Sequence, residues 1–287
     1  MRIKNVIFFF VSIIVIISCG PDEYWDDYED VSPYVIVDQK TDSIDSTTGW
    51  TPNDSTVQSQ ETIISRILEG KTVAILGDSY STYGGWIPSG YSCWYGLDGV
   101  DGKNKQNNNV SSVKETWWWK LCYECRAVLL INSSYSGSTI CNTGYNNKDA
   151  KSSSFITRMK KDLCNESINV MFPDIIIVFG GTNDSWANAP IGVLKFEDWT
   201  DSDLKQVLPA ICYMFDYLKN YYPGSRIINI TNCDIKSSII KGFEIVCNYY
   251  NIDNVILSSF SKQGGHPTVS GMESIKNDVV KYLQKDY

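Results

Sequence analysis

Histidine is almost missing from this chain: 287 residues hold only His266. A metal site built from several imidazoles is therefore excluded. Any chemistry that uses imidazole as a proton carrier must run through that one residue. Positive charge is scarce as well, with 25 Lys and Arg against 33 Asp and Glu, a net charge of −8. Neutralising phosphates requires a basic surface, so nucleic acid is not an expected partner. A phosphate-cradling loop is also lacking, since Gly180-Gly181-Thr182-Asn183-Asp184 has neither the lysine nor the spacing of one. The apolar run from Val6 to Ile17 is too short to span a bilayer.

What is present is a folded chain, 43% hydrophobic, with 9 Trp and 18 Tyr. Arg2 and Lys4 ahead of the Val6–Ile17 run have the pattern of a signal peptide. The run ends in Ile16-Ile17-Ser18-Cys19, which resembles the lipobox of bacterial lipoproteins. That resemblance implies cleavage before Cys19, lipidation of its thiol and an outer-membrane address, periplasmic or surface-exposed. The membrane would then be touched only through the lipid. An ordinary secretory signal or an uncleaved anchor remains the alternative. Residues 20–60 carry ten acidic side chains against Lys40, so the acidity belongs to this stretch and the remainder is nearly neutral. Asp22-Glu23 and Asp26-Asp27 resemble the surface-export signal of Bacteroidetes lipoproteins, although a solvated linker would look the same. The expected organisation is a signal peptide at 1–18, an acidic flexible tether at 19–60 and one domain at 61–287.

Within that domain, short apolar runs at Lys71–Leu76, Ala127–Ile131, Asp174–Phe179, Arg226–Thr231 and Asn254–Leu257 read as strands. Amphipathic stretches at Glu61–Glu69, Lys114–Arg126, Ser152–Leu163, Asp201–Tyr221, Ile235–Tyr250 and Ser270–Gln284 read as helices. Strands alternating with helices predict an α/β fold, a three-layer α/β/α sandwich around a five-stranded parallel sheet. From Tyr80 to Val113 neither period holds, and the stretch carries Tyr83, Trp86, Tyr91, Trp94 and Tyr95. A long aromatic loop directly after the first strand is expected to wall a binding site.

Four short elements fall at or beyond strand ends. Gly77-Asp78-Ser79 follows the first strand and presents a hydroxyl where a nucleophile should stand. Ser136-Gly137-Ser138 follows the second, where a glycine lets a backbone N–H approach a substrate. Asn183, after the third, can aim its amide into the same space, and His266-Pro267 lies beyond the last strand. In this order the four resemble the SGNH (GDSL-type) esterase superfamily, over roughly residues 70–287. The resemblance implies its flavodoxin-like sandwich and a serine esterase with no metal or organic cofactor. Ser79 would be the nucleophile and His266 the base. The Ser79 and Gly137 N–H groups and the Asn183 amide would form the oxyanion hole. Asp78 reads as a brace of its turn, and Asp184 as a structural cap of the segment that follows.

One departure matters. Family members usually carry an aspartate three residues before the histidine, and here Gln263 stands there. A neutral amide can orient an imidazole but cannot stabilise its charged form. Ser79 and His266 could act as a dyad, the ring oriented by Gln263 or a backbone carbonyl. Asp234 or Asp253 could substitute for the missing acid. Or the protein could be a catalytically weak glycan-binding lipoprotein. The aromatic loop and the envelope address point to an acyl group, acetyl above all, on a small-molecule or glycan ester. Cys122 and Cys125 lack the further ligands of a zinc site and read as packing, with a disulfide possible. Trp117, Trp118 and Trp119 point about 100° apart on a helix, so one of them should lie under a loop or at the surface.

Overall fold

The structure, a computed structural model, describes residues 66–96, 108–165 and 172–286. The expected signal peptide, tether and Cys19 lie outside the described residues, as does most of the helix expected at 61–69. Five runs rich in isoleucine and valine form the sheet: β1 (Thr72–Gly77), β2 (Val128–Ser134), β3 (Ile175–Gly180), β4 (Arg226–Thr231) and β5 (Asp253–Ile256). Their order is β2-β1-β3-β4-β5, and every neighbouring pair is parallel. Each strand stands within three residues of its sequence expectation. β2 runs past Ile131 because its polar tail is buried and hydrogen-bonded. Asn132 donates to the Ser81 carbonyl, Ser133 to Asp162 and Ser134 to Asn132.

Helices cover both faces. They are α1 (Trp117–Glu124), α2 (Phe155–Arg158), α3 (Thr182–Trp186), α4 (Val207–Tyr221), α5 (Ser237–Tyr250) and α6 (Val269–Leu283). Period-two alternation divides β1 between two cores. Val73 and Ile75 pack with α1 and α6, while Ala74 and Leu76 pack with α2, α4 and α5. Trp117 and Trp118 are both fully buried and Trp119 is partly exposed. The loop after β1 makes this arrangement possible, since its Trp86 meets the rings of Trp118 and Trp119 at 6.0 and 5.0 Å.

The strand order places the functional end of the sheet. From β1 the chain moves outward to β2, then returns past β1 to β3, so a crevice opens between the C-terminal ends of β1 and β3. Ser79 follows one of those strands and Asn183 the other. Close packing fixes the end of β3. A Cβ on Gly180 would stand 2.6 Å from the Phe155 ring, whereas one on Gly224 would meet open space. Gly180→Ala is expected to cost about 1–3 kcal/mol, read as a lowered Tm in a thermal melt. Gly224→Ala should leave Tm unchanged.

Candidate active site

Ser79 opens a single 3₁₀ turn, Ser79–Ser81, immediately beyond β1. Asp78 caps the turn by accepting from the Tyr80 N–H at 3.0 Å. Gly77 is required ahead of it, because a Cβ there would lie 2.4 Å from the Ser134 hydroxyl and 2.7 Å from the Ser81 Cβ. The Trp117 indole N–H donates to the Ser81 hydroxyl behind Ser79.

The histidine arrives on an element that strand periodicity did not reveal. Lys262–Gln263 and His266–Pro267 pair as a miniature antiparallel hairpin, with Gln263 opposite His266. Gly264 and Gly265 form its two-residue turn at φ +60° and +78°. Positive φ at both central residues is what a type I′ turn demands, and glycine supplies it without strain. The Gly-Gly pair was the signal in the sequence that could have located it. The turn brings the Gly264 carbonyl oxygen to 3.1 Å from His266 Nδ1, while Nε2 lies 2.9 Å from Ser79 Oγ. A carbonyl can only accept, so Nδ1 carries the proton and Nε2 accepts from the serine hydroxyl.

Gln263 is exposed, and the group that holds the ring is the Gly264 carbonyl. Neither aspartate weighed as a substitute reaches the imidazole. Asp234 pairs with Lys262. Asp253 begins β5, at the opposite end of the sheet, and pairs with Arg226 while accepting from Tyr282. Among the described residues no carboxylate hydrogen-bonds His266. Burial pushes its pKa down to about 4, the Gly264 hydrogen bond opposes that shift, and the charge of Lys262 adds to it.

The residues expected to form the oxyanion hole come from two loops. Gly137 has φ +83°, and nothing stands within 4 Å of where its Cβ would be. Asn183 sits in the first turn of α3, which starts from Gly181 at φ +91°. Tyr145 donates its hydroxyl to Asn183 Oδ1 at 2.8 Å. That bond fixes the amide so that Nδ2 is its free end, and Nδ2 is buried with no partner among the described residues. Asp184 braces this loop by accepting from the Ile140 and Cys141 N–H groups, the segment before it rather than after it. Burial raises Asp184 to about 6 and Asp78 to about 7.

Several contributors escaped sequence reasoning. Arg158 is fully buried and donates to the carbonyls of Gly77, Ser133 and Ser153 and to the Ser138 hydroxyl, tying β1, β2 and the Gly137 loop together. Tyr80 and Tyr95 donate to the Gly265 and Pro267 carbonyls, so the aromatic loop grips the histidine hairpin. Trp94 of the same loop stacks on the His266 ring. The described cysteines, Cys122 and Cys125 included, are all free thiols, and both members of that pair are buried.

A low histidine pKa has a measurable consequence. The unfolded chain takes its proton near the ordinary 6.5 and the folded one only near 4, so the wild type should lose stability relative to His266→Gln as pH falls through that window. Urea unfolding of both at pH 7 and pH 5 reads the difference; a gap independent of pH would contradict the burial described.

The model of the GDSL-like lipase/acylhydrolase family matches residues 71–283. A protein named as a GDSL-like lipase from Bacteroides uniformis ATCC 8492 is similar at 45% identity and TM-score 0.69, covering 75% of this chain and 96% of its own. A second, from Bacteroides ovatus ATCC 8483, is similar at 41% identity and TM-score 0.69, covering 76% and 99%. A carbohydrate esterase whose active site displays divergent catalytic and non-catalytic binding functions shares the fold at 16% identity and TM-score 0.53, over 77% of this chain and 69% of that one. No curated protein matches the chain. The chain belongs to the GDSL-like lipase/acylhydrolase family and is an ester hydrolase of SGNH type.

Proposed function

We propose that Ser79 and His266 work as a dyad that removes acyl groups, acetyl above all, from a carbohydrate. The observation that carries the reading is the 2.9 Å contact of Ser79 Oγ with His266 Nε2, with the tautomer held by the Gly264 carbonyl. Ser79 attacks the acyl carbonyl while Nε2 takes its proton, and the imidazolium then protonates the departing alcohol. The N–H groups of Ser79 and Gly137 and the Asn183 amide receive the oxyanion. Water repeats the cycle to free the acid. No step calls for a metal or cofactor.

The sugar preference is supported by aromatic surface at the mouth. Trp186 is 44% exposed and its ring lies 6.0 Å from that of His266. Flat apolar rings with wet edges suit sugar faces. A glycan-binding protein with little turnover is the second reading. It is favoured by the lack of a carboxylate on His266 among the described residues and by the divergent functions named for the carbohydrate esterase of like fold. We further propose that Cys19 is lipidated and anchors the protein to the outer membrane.

Aryl acetate and longer acyl esters, beside acetylated oligosaccharides, test the first reading. Ser79→Ala should lower kcat by more than about 10³-fold, and Asn183→Ala by about 10²–10³. Gln263→Ala should stay within about twofold, as for an exposed residue. Because the base is neutral above pH about 4, the acid limb of kcat/KM should fall there rather than near 6.5. Equal inertness of wild type and Ser79→Ala on every ester, with glycan binding retained, would establish the second reading. Radiolabelled palmitate incorporation that Cys19→Ala abolishes is the expected result for the anchor; equal labelling of both would refute it.

A further inference from the structure

A serine–histidine pair without a carboxylate has an electrostatic difficulty. As Ser79 Oγ bonds to the acyl carbon, the carbonyl π pair moves to the oxyanion and the hydroxyl proton moves to His266 Nε2. The ring is then a cation in a buried site. Lys262, on the hairpin itself and paired with Asp234, opposes that charge. Asp78 is buried at the foot of the Ser79 turn, and neither aspartate hydrogen-bonds the ring. The Gly264 carbonyl contributes one dipole at 3.1 Å. The ring's faces and edges are left to aromatic side chains.

Four aromatic rings surround the imidazole, and one is arranged unlike the others. Tyr80, Trp186 and Tyr95 meet it edge-on at 5.4, 6.0 and 6.3 Å. Trp94 lies flat on it, with centroids 3.3 Å apart and planes 9° from parallel. Neutral aromatic pairs favour offset or edge-to-face contacts over a face-to-face sandwich, because their electron-rich faces repel. An imidazolium reverses that preference, since its positive charge is drawn to the electron-rich face of an indole. The local chain holds Trp94 in place. Its backbone N–H donates to the Thr82 hydroxyl at 2.9 Å, and both neighbours, Cys93 and Tyr95, are buried.

We propose that Trp94 is a positioning residue of the hydrolysis: its stacked indole fixes the plane of His266 and stabilises the imidazolium, supplying part of the support a triad carboxylate would give. This rests on the Ser79–His266 reading. Trp94 itself forms and breaks no bond. When the tetrahedral adduct collapses, the proton passes from Nε2 to the leaving alkoxide and the ring is neutral again against an unchanged indole.

Fluorinated tryptophans tests this without altering shape. Mono-, di- and trifluorotryptophan placed at position 94 of the full chain withdraw charge stepwise from the indole face. Turnover of aryl acetate at neutral pH should fall with each fluorine, about tenfold over the series, with KM within about twofold. The pKa of the sole histidine, followed by NMR of its labelled ring, should fall in step. Trp94→Phe should retain more turnover than Trp94→Leu. Unchanged kcat and pKa across the fluorinated series would overturn the proposal. If the wild type hydrolyses no ester, the dyad reading fails, and the histidine titration still decides whether Trp94 stabilises the charged ring.

Discussion

The hydrogen bond between His266 Nδ1 and the Gly264 carbonyl, two residues back along the chain, is the constraint on which the site depends. It sets the tautomer, and with it the direction of the proton on the serine hydroxyl. It exists because Gly264 and Gly265 accept positive φ and close a two-residue turn. A longer loop would leave the carbonyl free to swing away. Tyr80, Tyr95 and Asn108 then hold the hairpin from outside through the carbonyls of Gly265 and Pro267. The aromatic stretch expected to wall the substrate thus clamps the hairpin that carries His266.

The other half of the site rests on a buried cation. Taking a guanidinium out of water is expensive unless its donors are met. Arg158 meets that condition with three carbonyls and the Ser138 hydroxyl, and the negative charge of Asp162 adds attraction. Burial lowers its pKa to about 10, which leaves it charged at neutral pH. The ends of β1 and β2 and the loop that presents Gly137 are therefore fixed by one side chain. Oxyanion donors must be in place before the charge appears, since reorganising them during reaction would forfeit their advantage. The Tyr145 bond fixes Asn183, proposed as the third donor, in the same way.

The proposed dyad would trade charge for dryness. A carboxylate would stabilise the imidazolium, and it would bring its own desolvation cost into a site already holding Asp78 and Asp184, both raised by burial. The protein instead surrounds the ring with aromatics, one of them flat upon it. Burial, with no carboxylate on the ring among the described residues, leaves His266 a weaker base that stays unprotonated in mildly acidic surroundings.

The α/β class, the five strands and the order of Ser79, Gly137, Asn183 and His266 were legible in the sequence. Apolar runs, their spacing and turn glycines are local properties, set by what a strand buries and what a turn requires. The family resemblance then assigned roles to the four. What replaces the missing aspartate is open in the sequence among Gln263, a backbone carbonyl and another acid, because every residue has a carbonyl and only the fold shows that Gly264 supplies it. Arg158 and Tyr145 look in sequence like an ordinary charge and an ordinary aromatic, and Trp94, legible as part of the aromatic wall, shows no link there to the histidine. They meet Ser138, Asn183 and His266 only because parallel crossovers bring distant loops to one end of the sheet. Sequence determined which groups could do the chemistry; tertiary packing decided which groups hold them, since burial and orientation are properties of the assembled fold.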